Sequence, residues 1–472
     1  MMIQLVLIII ILILNLMMLV AGLIMILRWK SFVKNRLKSF GKQIINKKYG
    51  ESLAELFTGI GRMKMQTMVE NSLRASRKEV LHRPLGPGKI FPNFEPLMFN
   101  PAQTTPFPVD KETEVDISVT IGPAAKKPLK LDIPLIISGM GYGIGLSEKA
   151  KIALAKAATN AGTAINSGEG GFLPEEREAA KYYILQFGKA PWAKENEEIK
   201  QADAIEIKLG QGALAGLGSV IKPEEIKGRA QEILRMNEGE DAIIYETFFD
   251  NQTLNDLKQL VAELRKKTGG VPVGAKILAG GKLEEDLDRL IELGVDFVTI
   301  DGAQGATHDS PPIMQDDFGI PTVHAVVRAA KHLENRKVKD KISLIVSGGL
   351  FTPGDFLKAL ALGADAVALG TAVLFAVLSE QAMIALPWDP PTTVVWYNGK
   401  HADAFDVDKG AETAANYLKN CVEEMKMAIR AMGKTSLKEV TAKDLVSYDE
   451  TLAKKIGLPF TLDPYESGGQ KS

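Results

Sequence analysis

Two short segments, each directly after an apolar run, have the residue types of a phosphate-binding site. They are Ser347-Gly348-Gly349 and Gly370-Thr371. Glycine tolerates unusual φ angles and allows backbone N–H groups to approach an anion closely, and a helix N-terminus adds further free N–H groups. We therefore predict that these five residues bind a phosphate. The alternative is that the glycines serve only tight strand-to-helix turns.

The segment Ser138-Gly139-Met140 follows an earlier apolar run and indicates which phosphate compound binds. A phosphate alone would also fit a sugar phosphate. The small, flat backbone face of this segment, beside a soft methionine side chain, suits a flavin ring instead. No G-x-G-x-x-G follows a strand pattern with an acidic residue after it, so we predict no bound dinucleotide.

Eight short apolar runs alternate with amphipathic helical patterns, and these elements must position the segments above. The runs cover residues 135–140, 162–167, 204–209, 242–247, 272–278, 297–300, 343–347 and 366–370. Short, doubly buried strands alternating with helices are typical of a parallel sheet, and eight such units predict an α/β fold, a (β/α)8 TIM barrel. A doubly wound open sheet is the alternative. In such a barrel the active site lies at the carboxyl ends of the strands, and the seventh and eighth ends commonly bind phosphate.

The N-terminal residues 5–27 carry no charge, and Asn15 is the one polar residue among them. As a helix, such a run crosses roughly 30 Å of hydrocarbon, so we predict a single transmembrane helix. A secretory signal would need a basic segment before it and a small-residue cleavage site after it. Basic residues from Arg28 onward place the catalytic body in the cytoplasm of a single-pass protein of the cell membrane. A buried core helix is the alternative.

Four further segments follow the apolar run. Residues 28–83 are basic with helical spacing, and we predict a juxtamembrane segment near the anionic leaflet or, alternatively, a solvated linker helix. Residues 84–133 form a proline-rich arm that wraps over the domain, with a hairpin in "VDISVTIGPAAKKPLKLDIP". Residues 134–415 form the cofactor-binding barrel, and residues 416–472 form a closing helix and a C-terminal tail.

The composition excludes several classes of function. The chain has 472 residues and a net charge of −1, which gives no reason to expect a nucleic-acid partner. Cys421 is the only cysteine, so no intramolecular disulfide and no cysteine-ligated zinc or iron–sulfur site can be built from this chain alone. We predict no metal site.

Taken in order, the strand ends resemble a known family. They include "ISGMGYGIGLSEKAKIALAKAATNAG", "NSGEGG", "ADAIEIKLGQGA", "VGAKI", "TIDGAQGATHDSP", "FGIPT" and "SGGLFTPGDFLKALALGADAVALGTAVL". These motifs are similar to the FMN-binding synthase domain of the glutamate synthase large subunit. They are most similar to its stand-alone relatives, the FMN-binding glutamate synthase family proteins. The resemblance covers residues 134–376, roughly half the chain.

The resemblance implies FMN as the cofactor and an oxidoreductase acting on CH–NH2 donors. In the family, 2-oxoglutarate and ammonia form 2-iminoglutarate, and reduced FMN delivers hydride to make glutamate. The FMN-binding residues it implies are Ser138, Gly139, Met140, Ser167, Gln211, Lys276, Ser347, Gly348, Gly349, Gly370 and Thr371.

Four residues are catalytic candidates on the same resemblance. Lys208 and Lys276 lie at strand ends, where cations can hold substrate carboxylates and stabilise negative charge on the reduced flavin. Gln211 would lie beside flavin and oxoacid. Glu169 matches a family glutamate that senses the ammonia-delivering partner, and it could also position ammonia or relay a proton. The alternatives are rim ion pairs for the two lysines and a helix cap for Glu169.

The sixth strand end contributes His308, which could be a general acid or could stabilise its loop. Asp301 and Asp309 in the same region are interpreted as turn residues. His324 is interpreted as a packed helix residue.

The chain departs from the family pattern in three respects. It lacks the cysteines of a 3Fe–4S cluster after the eighth strand, so electrons must come from a ferredoxin-like carrier, NAD(P)H or a reductase subunit. It lacks the glutaminase domain, so ammonia must be free or come from a separate glutaminase subunit. The family's Arg-Phe-Gly is here Gln186-Phe187-Gly188, which favours a different oxoacid, imine or membrane-soluble acceptor as an alternative substrate. A non-enzymatic, membrane-tethered scaffold is a further alternative.

Overall fold

In the computed structural model, which describes residues 2–464, the chain forms two compact units, Met1–Leu81 and His82–Ser472. The first unit contains helix α1 (Met2–Ile45), α2 (Glu55–Met63) and α3 (Met65–Ser76). The predicted apolar helix is confirmed as an element, and it continues past Arg28 to Ile45. By length and composition its segment Ile10–Ile45 could cross a membrane.

The second unit is built on a closed barrel of eight parallel strands, which confirms the predicted fold and excludes the open sheet. The strands are β4 (Leu135–Ile137), β5 (Ala164–Asn166), β6 (Tyr182–Phe187), β7 (Ala204–Lys208), β10 (Val273–Leu278), β11 (Phe297–Asp301), β12 (Ser343–Ser347) and β13 (Ala366–Leu369). Each pairs in parallel with the next, and β13 pairs with β4 to close the barrel.

One of the eight predicted strands is wrong. Residues 242–247 contain β9 (Ala242–Ile244), which pairs antiparallel with β8 (Ser219–Ile221) and lies outside the barrel. The third barrel strand is β6 instead, which pairs with β5 and β7. The strand β6 begins three residues after the short helix α5 (Pro174–Ala179) with no glycine between them, so the sequence does not mark its start.

Helices surround the barrel or fill the connections between its strands. They are α4 (Glu148–Ala161), α5 (Pro174–Ala179), α6 (Asn196–Ile199), α7 (Arg229–Ile233), α8 (Leu254–Lys267), α9 (Leu283–Leu293), α10 (Pro312–Asp316), α11 (Thr322–Asn335), α12 (Pro353–Ala361), α13 (Thr371–Leu378), α14 (Val407–Ala431) and α15 (Glu450–Ile456). The predicted closing helix is α14, which begins at Val407 rather than near residue 416 and packs against α4 and α13.

A hairpin of β2 (Val119–Ile121) and β3 (Leu129–Leu131) closes the amino-terminal end of the barrel. Its Ile121 and Leu131 are buried in one apolar cluster with Ile136, Phe297 and other barrel residues. Because side chains alternate along a strand, every second residue reaches this cluster. The hairpin predicted in the proline-rich arm is therefore present, and it plugs the barrel.

The beginning of the arm lies against the loop after β11, where the N–H of Leu85 donates to the carbonyl of Thr307 over 3.1 Å, and its next part lies against the C-terminal segment. Strand β1 (Leu97–Phe99) pairs antiparallel with β14 (Leu445–Ser447). The N–H of Ala102 donates to the carbonyl of Ala431, at the end of α14, over 2.8 Å. The hairpin therefore leaves free the end of the barrel at which the strands have their carboxyl ends.

Candidate functional site

Two lysines lie side by side at the carboxyl ends of adjacent strands. Lys208 on β7 is the register partner of Lys276 on β10. Ala204 belongs to the apolar cluster at the barrel floor, so Lys208, four residues further on, faces the same interior. Both lysines are buried, with side chains 11% and 5% exposed. Two adjacent ammonium groups in such a place repel each other unless anions compensate them.

The ammonium of Lys208 is paired with Glu169. Nζ lies 2.5 Å from Oε2 of Glu169, while Oε1 accepts the backbone N–H of Lys189 over 3.1 Å. Glu169 is not a helix cap, because α5 begins at Pro174 and its N-cap residue is Leu173. The cap interpretation is therefore wrong, and the rim ion pair is present. Glu169, in the loop after β5, thereby brings its carboxylate to the ammonium of Lys208 at the end of β7.

The partner of Lys276 is Asp301, whose Oδ2 lies 3.7 Å from Nζ. The carboxylate also accepts the hydroxyl of Ser347 over 2.8 Å and the N–H of Gly212 over 2.9 Å. Asp301 is the last residue of β11 and is 4% exposed, so its interpretation as a turn residue is wrong. Asp301 instead connects three strand ends, those of β7, β10 and β12, through Gly212, Lys276 and Ser347.

Gln211 lies in the loop that follows β7, beside the contact between Gly212 and Asp301. Its backbone N–H and carbonyl both pair with Ala215, over 3.0 and 2.8 Å. This narrow turn holds the half-buried Gln211 side chain at the same edge of the barrel as Lys208 and Lys276.

The predicted phosphate cradle is assembled from neighbouring strands. Gly348 and Gly349 have φ angles of +103° and +70°, which L side chains rarely adopt. Gly370 is the N-cap residue of α13, and a Cβ placed on it would meet only the Cβ of Ser138, 4.0 Å away. The glycine backbone thus borders open space at a helix N-terminus, with Thr371 next in the chain. This open cradle fits a phosphate.

The first strand end adjoins the cradle. The N–H of Ser138 donates to the carbonyl of Leu369 over 2.9 Å, so the ends of β4 and β13 are in contact. A Cβ on Gly139 would lie 2.8 Å from Oδ1 of Asn166 and 2.9 Å from Nε2 of Gln186, so only glycine fits there. Met140 is half-buried beside it.

Ser167 uses its hydroxyl within the protein. It is 3% exposed, accepts the N–H of Gln186 over 2.9 Å and donates to the carbonyl of Gly168 over 3.0 Å. Ser167 therefore lies behind the other predicted cofactor residues. There it supports the second strand-end loop, which follows β5.

A buried polar network inside the barrel was not among the features predicted from the sequence. Glu206 on β7 accepts the side-chain amides of Asn166 and Gln186, both over 2.8 Å, and the hydroxyl of Thr299 over 2.5 Å. The spacing along β7 could have predicted this network, because Glu206 lies two residues before Lys208 and so faces the same interior. Gln186 is 3% exposed and bound to this carboxylate. The position that carries the family's arginine is thus an interior position here, covered by Gly139.

His308 lies in the loop after β11 and contacts Trp396 edge to face, with ring centroids 4.5 Å apart. Surrounding protein atoms desolvate the imidazole and lower the pKa of His308 below its ordinary value, although the residue as a whole is exposed to solvent. Trp396 also bridges to Leu146 in the loop after β4. His308 therefore helps connect two loops across the mouth of the barrel. His324 lies on α11, half-buried.

Comparison with known proteins gives one family. The family model described as the conserved region in glutamate synthase matches residues 93–435. A glutamate synthase large subunit-like protein of Rhizobium meliloti is 31% identical over 396 residues, which cover 80% of this chain and 89% of the relative. The archaeal-type glutamate synthase (NADPH) of Thermotoga neapolitana is 31% identical over 325 residues, covering 69% of this chain. This chain spans 63% of that relative's length.

Solved structures with similar folds include a flavocytochrome b2 variant. It has a TM-score of 0.49 and 21% identity, and the match covers 80% of this chain and 85% of that one. A lactate oxidase of Pediococcus acidilactici has a TM-score of 0.47 and 14% identity, with 75% and 84% covered.

Proposed function

The chain belongs to the glutamate synthase family, and from this premise we propose that it is an FMN-dependent oxidoreductase that makes glutamate from 2-oxoglutarate and ammonia. The observation that carries the proposal is the register pairing of Lys208 with Lys276 next to the glycine cradle. Two ammonium groups beside a phosphate-sized cradle fit a site for a phosphorylated cofactor and a dicarboxylate.

The backbone of Gly348, Gly349, Gly370 and Thr371 would hold the FMN phosphate, and the loop from Ser138 to Met140 would border its ring. Bound and reduced, FMN supplies the hydride for the reaction. Lys276 would stabilise negative charge beside that ring. Among residues 2–464 its ammonium donates no hydrogen bond, because the 3.7 Å to Asp301 exceeds hydrogen-bond length.

The substrate is a dianion, and Lys208 is the residue that would bind one of its carboxylates. One of its three N–H groups points to Glu169 and the others are available to a ligand. In a mouth of low dielectric this attraction is stronger than in water.

Ammonia adds to the substrate carbonyl, and loss of water gives the imine, whose carbon then takes the hydride while its nitrogen takes a proton. Glu169 lies where a carboxylate can position ammonia or relay that proton. Its hydrogen bond from Lys189 and its ion pair with Lys208 fix both oxygens.

NADPH is the electron donor that the names of the archaeal-type relatives suggest, and a ferredoxin-like carrier or reductase subunit is the alternative. Ammonia comes free from solution or from a separate glutaminase subunit. Helix α1 anchors the protein in the cell membrane, with its catalytic body in the cytoplasm.

A second candidate keeps FMN but reduces another oxoacid, imine or membrane-soluble acceptor. It is favoured by α1, which is apolar enough to place the chain at a membrane. The substitution at Gln186 no longer favours it, since Gln186 is bound to Glu206 inside the barrel and does not line the mouth.

The test uses the full chain in detergent, loaded with FMN and reduced without oxygen. Flavin reoxidation that requires both 2-oxoglutarate and ammonium, with one glutamate formed per flavin, is the expected result. Flavin that stays reduced with this pair but is reoxidised by another oxoacid or a quinone supports the second candidate. A protein that binds no FMN refutes both and leaves the scaffold.

A further inference from the structure

Lys151 on α4 is a charged side chain that is almost completely buried near the site. Its side chain is 1% exposed, although lysine is almost never fully buried unless it is paired. Lys151 follows the first barrel strand in the chain and lies below the loops that border the cofactor site. None of the steps above uses it.

The ammonium of Lys151 has three partners. It donates to the carbonyl of Met140 over 2.6 Å and to the carbonyl of Ser167 over 2.9 Å, and it lies 2.7 Å from Oε1 of Glu176. Two of its three N–H groups are thus donated to carbonyls, and the ion pair with Glu176 compensates its charge. One side chain thus joins the loop after β4, the loop after β5 and helix α5.

The two loops are in direct backbone contact above this lysine. A Cβ on Gly168 would lie 2.4 Å from the nitrogen of Gly141, and one on Gly170 would lie 2.2 Å from the nitrogen of Tyr142. No side chain separates the loops, so their spacing depends on the groups that bind their carbonyls.

The two carbonyls also fix peptide planes. Because a peptide group is planar, holding the carbonyl of Ser167 fixes the following N–H. That N–H, of Gly168, donates to Oδ1 of Asn166 over 3.0 Å. The carbonyl of Met140 likewise fixes the peptide that leads into Gly141. The first of these loops adjoins the cradle through Ser138, and the second packs against the first.

From these contacts we propose that Lys151 is a positioning residue, whose ammonium sets the spacing and peptide orientation of the first two strand-end loops and thereby shapes the flavin-binding surface. The inference rests on the proposed function only in naming FMN as the ligand. Lys151 does not touch the cofactor, and it acts through the peptides at Met140 and Ser167.

The role of Glu176 is to compensate the buried charge. Burial lowers the pKa of Lys151 and raises the pKa of Glu176 to about 7, and each group opposes the shift of the other. The carboxylate is on α5 and contacts the ammonium, whereas the loop carbonyls are bound by the ammonium itself. Its removal should therefore leave the two carbonyl contacts in place.

The experiment compares four variants of the full chain after FMN has been removed. Lys151→Met keeps the length of the side chain and loses the ammonium. The double variant Lys151→Met, Glu176→Gln also removes the unpaired carboxylate, and Glu176→Gln alone keeps the ammonium. Lys156→Met is the matched control, because Lys156 lies on the same helix but pairs at the surface with Asp408.

FMN affinity is measured by fluorescence titration, the flavin environment by its visible absorption and circular dichroism, and folding by thermal unfolding of the apoprotein. We expect the double variant to unfold near the wild-type temperature but to bind FMN about 10- to 100-fold more weakly, as when the groups supporting a ligand site are removed. Its flavin spectrum should shift. Glu176→Gln and Lys156→Met should bind FMN within about threefold of wild type.

The proposal is overturned if the folded double variant matches wild type in FMN affinity and spectrum, or if Glu176→Gln weakens FMN binding as much as Lys151→Met. If the double variant does not fold, the comparison of Glu176→Gln with Lys151→Met still tests the proposal. An equal loss of FMN affinity in these two variants would assign the effect to the charge pair rather than to the bonds with the carbonyls. Failure of the proposed function is a different result: wild type would bind FMN but make no glutamate. A wild type that binds no FMN refutes both.

Discussion

At the scale of single residues, the two lysines at the strand ends differ in their hydrogen bonding. Lys208 shares its charge with Glu169 at 2.5 Å, whereas Lys276 has Asp301 only at 3.7 Å. The strong ion pair with Glu169 uses part of the hydrogen-bonding capacity of Lys208, so Lys276 remains the better hydrogen-bond donor to a ligand. This difference agrees with the proposal that Lys208 binds the substrate and Lys276 the cofactor edge.

We predict that Lys208→Met lowers kcat/KM for 2-oxoglutarate by about 10²- to 10³-fold, as loss of a preorganised electrostatic contact does. FMN affinity should change little. Steady-state kinetics and FMN titration of the full chain measure both values. Lys200→Met, which removes a surface ion pair with Glu197, is the control. A Lys208→Met enzyme with unchanged kcat/KM would remove this lysine from the substrate site.

His308 gives a prediction about pH. Desolvation lowers its pKa, so the folded state binds this proton less readily than the unfolded state. Protonation of His308 therefore destabilises the fold as the pH falls below the pKa of the unfolded chain, and it has no effect well above that pH. With five histidines in the chain, NMR of histidine-labelled protein should show one signal, absent in His308→Gln, that titrates lower in the folded than in the urea-unfolded protein. A higher folded midpoint would contradict the desolvation of this ring by surrounding protein atoms.

At the scale of elements, the hairpin β2–β3 closes the barrel floor with side chains that are almost fully buried. Leu131 is 1% exposed and packs in the interior cluster, while its neighbour Lys130 points to solvent. We predict that Leu131→Ala lowers the free energy of unfolding by about 2–5 kcal/mol through cavity formation. Lys130→Ala should change it by less than about 0.5 kcal/mol. Denaturant unfolding measures both, and equal effects would show that the hairpin does not close the core.

The cradle between β13 and α13 allows a substitution that leaves the protein atoms undisturbed. A Cβ at Gly370 meets nothing closer than 4.0 Å, so Gly370→Ala should fold normally and occupy space meant for the phosphate. We predict at least a tenfold loss of FMN affinity, roughly 1.4 kcal/mol, with an unchanged unfolding temperature of the apoprotein. Gly354→Ala, in ordinary contact with Thr352 at the start of α12, is the control. Unchanged affinity in Gly370→Ala would place the phosphate elsewhere.

The sequence predicted the barrel and seven of its strands, because buried parallel strands read as short apolar runs between helices. The third barrel strand was misplaced, because the apolar run at residues 242–247 and the apolar run of β6 have similar patterns of hydrophobic residues. Only the pairing of β6 with β5 and β7 distinguishes them. Lys208, Lys276 and the glycines could be predicted because their position at a strand end is local. Lys151 and Asp301 could not, since their partners lie on other elements and their burial follows from the closed fold.

At the scale of the whole molecule, the two units differ in what surrounds them. The barrel unit buries its apolar side chains in a continuous core. In α1 the apolar side chains described from Ile10 to Leu27 are mostly exposed, including Leu19 at 70% and Ile26 at 73%. A soluble protein rarely exposes so large an apolar surface, and a bilayer covers it without any further protein contact.

We predict that the full chain sediments with membranes and resists extraction by alkaline carbonate. A double variant, Leu16→Arg and Leu23→Arg, places two charges within the apolar half of α1, each opposing insertion by about 2.5–3.5 kcal/mol. It should shift the protein to the soluble fraction with its flavin spectrum intact, because the barrel has its own core. Ser39→Arg, in the basic half of the same helix, is the matched control and should leave the protein in the membrane. If wild type were soluble, the exposed face of α1 would need a protein partner instead, and the case for a membrane-soluble acceptor would lose its one structural support.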